Sequence, residues 1–145
     1  MPEQASELWC VAFVSTSIKD ATAETAAAII ETVRKERHSQ NLTGMSIFAR
    51  GNNLIMCEGP KENVLLEYEQ AKKHHAHHSL IKLYDGPIPF RFFEDSPLLL
   101  KVIAPDNFKP LDDFATPEHR EYFEEFLNTE HMVARISRDF VKNNT

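Results

Sequence analysis

The chain has 145 residues, 42% of them hydrophobic, which is enough for one core without disulfides or a structural metal. Its 22 acidic and 16 basic residues give a formal charge of −6, spread without long blocks. A net negative surface repels nucleic-acid phosphates, and no basic stripe offsets it. No stretch reaches the ~20 apolar residues of a membrane span. The start MPEQASELW has neither a basic nor an apolar signal region, so the expected compartment is cytoplasmic.

Leu8 to Ser15 are β-formers without a breaker and predict a central strand. Asp20 or Thr22 can cap a helix running from Ala21 to about Ser39, with Ile29, Ile30 and Val33 as its apolar stripe and small alanines in its first half. Leu42–Ala49 and Leu54–Glu58 predict two strands joined through Arg50-Gly51-Asn52-Asn53. Gly59-Pro60 opens a second helix, carried by Val64, Leu65, Tyr68 and Ala71 and ending near His75. A fourth strand is expected over Leu80–Tyr84 and a fifth around Pro87–Phe93, with Asp85-Gly86 as the turn between them. The chain then loosens through Pro97, Pro105 and Pro110. Two helices close it, one after Thr116-Pro117 and one after Thr129, with apolar faces from Tyr122, Phe123, Phe126, Leu127, Met132, Val133, Ile136, Phe140 and Val141. The order β-α-β-β-α-β-β and then helices predicts an α+β, ferredoxin-like sheet. Two helices cover one face, and the C-terminal helices cover the other.

The candidate sites are sparse. Cys10 and Cys57 sit in apolar runs and are expected as buried thiols. His74 and His78 are four apart, a spacing that chelates zinc or nickel on a helix. No Asp, Glu or Cys joins them locally and the helix is expected to end within the tract, so a solvated helix end is expected and no metal site. Ser15 and Ser17 lack a nearby His–Asp pairing, and there is no nucleophile elbow, P-loop or dinucleotide fingerprint; no enzyme is expected. Asp112-Asp113 is most simply an approach to a helix, and Trp9 is expected as core or edge packing, with a subunit interface as the other reading. Asn41-Leu42-Thr43 fits a glycosylation pattern that a cytosolic protein never presents to that machinery.

At Leu42-Thr43-Gly44, the hairpin, Cys57-Glu58-Gly59 and Arg91-Phe92, the sequence resembles the BLUF family, blue-light sensors that use FAD. The resemblance runs from about Leu8 to Leu100. It divides the chain into a BLUF-like domain over residues 7–100 and a helical extension over 101–145, packed on the sheet. It implies an isoalloxazine ring between the two long helices, against the sheet. A first-strand tyrosine and a third-strand glutamine switch hydrogen bonds at flavin N5 and the C4 carbonyl, and an asparagine at the end of the first helix holds the ring edge. Carried over, the tyrosine position is Phe13, followed by Ser15; the glutamine position is Ile55; the asparagine position is Glu36. Ile30 and Phe48 are further flavin-site positions, and Ser96-Pro97-Leu98 replaces a segment that often carries tryptophan and methionine.

Phenylalanine has no phenolic proton, and isoleucine neither donates nor accepts. Each buried flavin group left unpaired costs roughly 1–3 kcal/mol. A carboxylate at position 36 repels the ring carbonyls. Arg34, Lys35, Arg37 and His38 either meet phosphates or form an ordinary solvated face. The expectation is a non-photoactive BLUF-like regulatory or protein-interaction module with no cofactor. The alternative is an FAD-binding blue-light photoreceptor with an altered flavin site, if the cleft is still open. Partners are expected to be a second copy or another protein, through the sheet face and C-terminal helices, and not nucleic acid or membrane.

Overall fold

A computed structural model of the protein describes residues 7–17, 23–49, 51–74, 77–94, 96–103 and 117–144. In chain order the elements are β1 (Leu8–Ser17), α1 (Ala23–Ser39), β2 (Thr43–Ala49), β3 (Asn52–Pro60), α2 (Lys61–Lys72), β4 (His77–Pro87), β5 (Leu99–Val102), α3 (Pro117–Leu127) and α4 (Met132–Asn143). The sheet order is β4-β1-β3-β2-β5, with every neighbouring pair antiparallel except β2 and β5.

Alternation along the strands divides the core in two. Cys10, Ala12, Met45, Ile47, Leu54 and Met56 point to the face closed by Phe123 and Phe126 of α3 and Val133 and Ala134 of α4. Val11, Phe13 and Cys57 point to the other face, under Val64 and Tyr68 of α2. A strand buried on both sides needs no polar alternation, which is why β1 reads as one apolar run. The ferredoxin-like α+β architecture expected from the element order is the one observed. Among the described residues, no helix is long and apolar enough to cross a membrane.

The far side of the sheet departs from expectation. Asp85-Gly86 is not a turn: β4 continues through it, pairing Cys10 with Gly86 and Trp9 with Pro87. Trp9 Nε1–H donates to Asp85 at 2.6 Å, which holds this end of the ladder, and Lys61 sits 4.2 Å above the half-buried indole. The segment from Ile88 to Phe93 is not a strand, because two of its amides are spent on a side chain. The fifth strand is instead Leu99–Val102, parallel to β2. The second helix ends at Lys72 rather than near His75. The proposed caps at Asp20, Thr22 and Thr116, together with Arg50, His75, Pro105, Pro110 and Asp112-Asp113, lie outside the described residues.

The side chain that takes those amides is Glu58, fully buried near the end of β3. Thr43 Oγ1 donates to its Oε2 at 2.7 Å, Phe92 N to Oε1 at 2.8 Å and Phe93 N to Oε2 at 2.8 Å. Arg91 continues the network, donating to Thr43 Oγ1 at 3.1 Å and to Asn41 O at 2.8 Å. Burial pushes the Glu58 carboxyl up, against the three donors that favour its ionised form. The flanking glycines allow the close approach. A Cβ on Gly44 would lie 2.0 Å from Met56 O, and one on Gly59 would lie 2.8 Å from Asn41 O. Thr43-Gly44, Glu58-Gly59 and Arg91-Phe92 therefore form one latch tying β2, β3 and the segment after β4.

Glu58→Gln turns one acceptor oxygen into a donor facing donors. It is expected to lower the unfolding free energy by about 1–3 kcal/mol, measured as a shifted urea midpoint at unchanged slope. An unchanged midpoint would remove the latch from the account.

Candidate functional site

The site region lies on the sheet face shared by α1 and α2. On α1, positions 30, 33, 34 and 37 follow the i, i+3, i+4, i+7 spacing of one helix face. That face meets the sheet side, because Arg34 donates through Nε and Nη2 to Leu98 O at 3.2 and 3.0 Å. Arg37 is only 2% exposed. Its Nε reaches Glu67 Oε2 on α2 at 3.3 Å, and its Nη1 donates to Met56 O at 3.3 Å and Pro97 O at 3.0 Å. One guanidinium thus joins both long helices, β3 and the segment entering β5.

Glu36 is exposed, and it is its neighbour Arg37 that turns inward. Of the four basic residues near the end of the helix, Lys35 and His38 face solvent, while Arg34 and Arg37 are committed to protein carbonyls. Sequence reasoning treated these four as one group and missed the distinct role of Arg37. The signal was available in its helical phase with Ile30 and Val33.

On the sheet, Phe13 and Ile55 are directly opposed across β1 and β3, so their side chains share one face. Phe13 is buried, its ring edge-on to Tyr68 of α2 at a centroid distance of 5.0 Å. Lys72 and Lys82 lie 5.4 and 4.9 Å from the centre of the Tyr68 ring. Ile55 is half-buried, as are Phe48 on β2 and Ile30 and Val33 on α1. Ser46, also half-buried, opposes Ile55 from β2.

Further along β1 the wall becomes polar. His77 Nε2 lies 2.9 Å from Ala71 O, which can only accept, so that nitrogen carries the proton. Its Nδ1 then accepts from Ser15 Oγ at 2.9 Å. Asn53 Nδ2 donates to Ser15 Oγ at 3.3 Å and to Ser17 Oγ at 3.0 Å. Burial lowers the His77 pKa, in keeping with a neutral ring.

The histidine tract does not present a chelating helix face, because α2 ends at Lys72 and His77 and His78 lie in β4. Among the described residues no three His, Cys, Asp or Glu converge on a metal-sized site. Cys10 and Cys57 are free thiols in the two separate cores. Burial pushes the Cys57 thiol up to about 12 and raises Cys10 as well, so neither is a ready nucleophile.

Removing one partner of a buried ion pair strands the other charge. Glu67→Ala is expected to cost about 3 kcal/mol, and the double change Arg37→Met with Glu67→Met to recover most of that in urea unfolding. If the double variant is no more stable than the single one, the pair is not what ties the helices.

Residues 8–98 match the protein-family model described as BLUF, sensors of blue-light using FAD. Among curated proteins, none matches the sequence. Of solved structures, the dark state of BlrB, a BLUF protein, is 16% identical with a TM-score of 0.64, over 83% of this chain and 95% of that one. The ground state of BlsA is 16% identical with a TM-score of 0.65, over 86% and 91%. Klebsiella pneumoniae BlrP1 with FMN and cyclic diGMP is 13% identical with a TM-score of 0.72, over 93% of this chain and 34% of that one. At such identities the structures speak for the fold, and the family match, which spans more than half of the sequence, places the chain in the BLUF family, described as sensors of blue-light using FAD.

Proposed function

We propose that this chain is a regulatory BLUF module that does not run the tyrosine–glutamine light switch and that signals through its C-terminal helices. The observation that carries this reading is the direct opposition of Phe13 and Ile55 on the helix-covered face of the sheet. A hydrogen-bond switch needs a group that donates and accepts, and neither side chain does either. The buried guanidinium between the two long helices is already engaged, since Arg37 is bound to Glu67, Met56 O and Pro97 O. Glu36 points to solvent. The side chains present do not fit the polar edge of an isoalloxazine ring, whose N5, N3–H and two carbonyls each need a partner.

A second reading, an FAD-binding photoreceptor with an altered site, has its own support. Ile30, Val33, Phe48 and Ile55 stay half-buried, leaving apolar wall of the kind on which a flat ring can rest. Membership of a flavin-using family favours this reading for the cofactor, as does the similarity to structures described as the photo-activated state of BlsA and a bacterial light-regulated adenylyl cyclase. The wall chemistry favours the first for the switch.

We further read residues 7–100 as the sensor domain and 101–145 as the extension that carries its output. The protein is expected to be cytoplasmic and to act as a homo-oligomer or with a protein partner. Phe123, Phe126 and Val133 cover the middle of the second sheet face. Towards its β4 edge Ile81 remains 59% exposed and Leu83 42%, the apolar surface on which an association would rest.

Purified without denaturation, the protein is expected to show no flavin absorption and to take up no added FAD. Bound FAD with no red shift under blue light would favour the second reading. Phe13→Tyr with Ile55→Gln should then gain the shift. A red-shifting flavin in the unaltered protein would overturn the first proposal. Light scattering is expected to give a mass above that of one chain, and a strict monomer at high concentration would overturn the oligomer reading.

A further inference from the structure

His131 caps the last helix in a way that only its neutral form permits. It is the N-cap of α4, with Nδ1 accepting from Val133 N at 3.1 Å. A backbone N–H has only a proton to offer, so Nδ1 must present a lone pair. The proton of the neutral ring therefore sits on Nε2, the nitrogen that faces Tyr84 near the end of β4. Tyr84 Oη donates to the Pro87 carbonyl at 2.7 Å and lies 3.5 Å from Nε2, so it links the ring to the end of β4. The imidazole is set between the rings of Tyr84 and Phe92, at centroid distances of 5.2 and 5.3 Å. Phe92 in turn contacts Phe126 of α3 at 5.4 Å, and its amide is one of the two held by Glu58. One uncharged ring thus couples the first turn of α4 to the end of β4, to α3 and to the latch.

We propose that protonation of His131 releases the first turn of α4 from the end of β4, making the C-terminal helix pair an acid-sensitive element. A second proton on the ring sets N–H against the Val133 N–H. It also places a cation at the positive end of the helix dipole. Among the described residues, no carboxylate is hydrogen-bonded or ion-paired to the ring, and Glu58, beyond Phe92, is held by Thr43 and two amides. Asp85, the acidic residue of β4, is engaged with Lys82 and Trp9. Glu130 and Arg135 are exposed. Arg138 of α4, which donates to Leu127 O and Thr129 O, adds positive charge to the same turn. Burial already lowers the His131 pKa. The native state therefore resists the proton, the cap is intact above the ordinary histidine range, and it is lost as pH falls through and below that range. The release is local, since Ser137 stays fully buried one turn further on and Ile136, Phe140 and Val141 pack on the core. The inference is independent of whether flavin binds.

The test follows amide hydrogen exchange at Val133 and Ala134, corrected for the intrinsic pH dependence, from about pH 7.5 to about pH 5. Protection is expected to fall about tenfold in the unaltered chain. It should stay level in His131→Asn, which keeps an accepting cap atom that does not titrate. Equal trends in the two proteins would overturn the proposal. Should the variant not fold, the unaltered chain still decides: the ¹⁵N shift of His131 Nδ1 and the Val133 amide should titrate together. A ring that titrates while Val133 stays fixed overturns it. Reading the effect at α4 separates it from His77, whose partners are Ser15 and Ala71.

Discussion

A carboxylate with no exposure must find donors or lose its charge, and Glu58 finds them in two separate parts of the chain. The hydroxyl of Thr43 comes from β2, and the amides of Phe92 and Phe93 come from the segment after β4. Meeting that demand draws this segment away from the sheet edge, leaving the place beside β2 to Leu99–Val102. The same approach brings the backbone of β3 against Gly44, where a side chain has no room. Most of what makes the sequence recognisable as a BLUF protein belongs to this one polar centre. The family signature here is chiefly a signature of folding.

The positions linked to flavin chemistry are physically separate from that centre. Phe13 and Ile55 behave as ordinary members of an apolar wall, one buried against Tyr68 and the other half-covered. Hydrocarbon at both positions leaves no buried polar group to satisfy there, so this part of the wall needs no polar compensation. Arg37 adds a structural element of its own by joining both long helices to β3. The polar centres that hold this scaffold lie at Glu58 and Arg37, and neither takes a hydrogen bond from Phe13 or Ile55.

Each face of the sheet also carries a histidine held neutral by its surroundings. His77 accepts from Ser15 beside the α1–α2 face, and His131 accepts from Val133 at the start of α4. The other nitrogen of His77 donates to Ala71 O and that of His131 faces Tyr84 Oη, while burial lowers both pKa values. Both rings sit next to β4, the edge strand, whose pairing with β1 is interrupted by two register shifts. The sheet edge away from β5 is therefore where charge and packing are most closely coupled.

Much of this was legible from residue order. Apolar runs and turn residues placed β1, both long helices, the hairpin and the C-terminal helices, and the spacing of short motifs identified the family. The opposition of Phe13 and Ile55 followed from aligning those motifs. Local pattern failed at Asp85-Gly86, where a favourable turn dipeptide lies inside a strand because β1 is long enough to keep pairing past it. It failed again at Ile88–Phe93, whose apolar side chains suit a strand but whose amides are claimed by Glu58. His131 was also beyond local reading, since a basic residue near a helix end is usually solvated, and the inward turn of Arg37 showed only in its helical phase with Ile30 and Val33. Sequence by itself determined the helices, the first three strands and which side chains lack donors, because those are properties of neighbours along the chain. Tertiary structure alone decided which polar groups are buried together, because a hydrogen bond between residues 30 or more positions apart leaves no periodic trace.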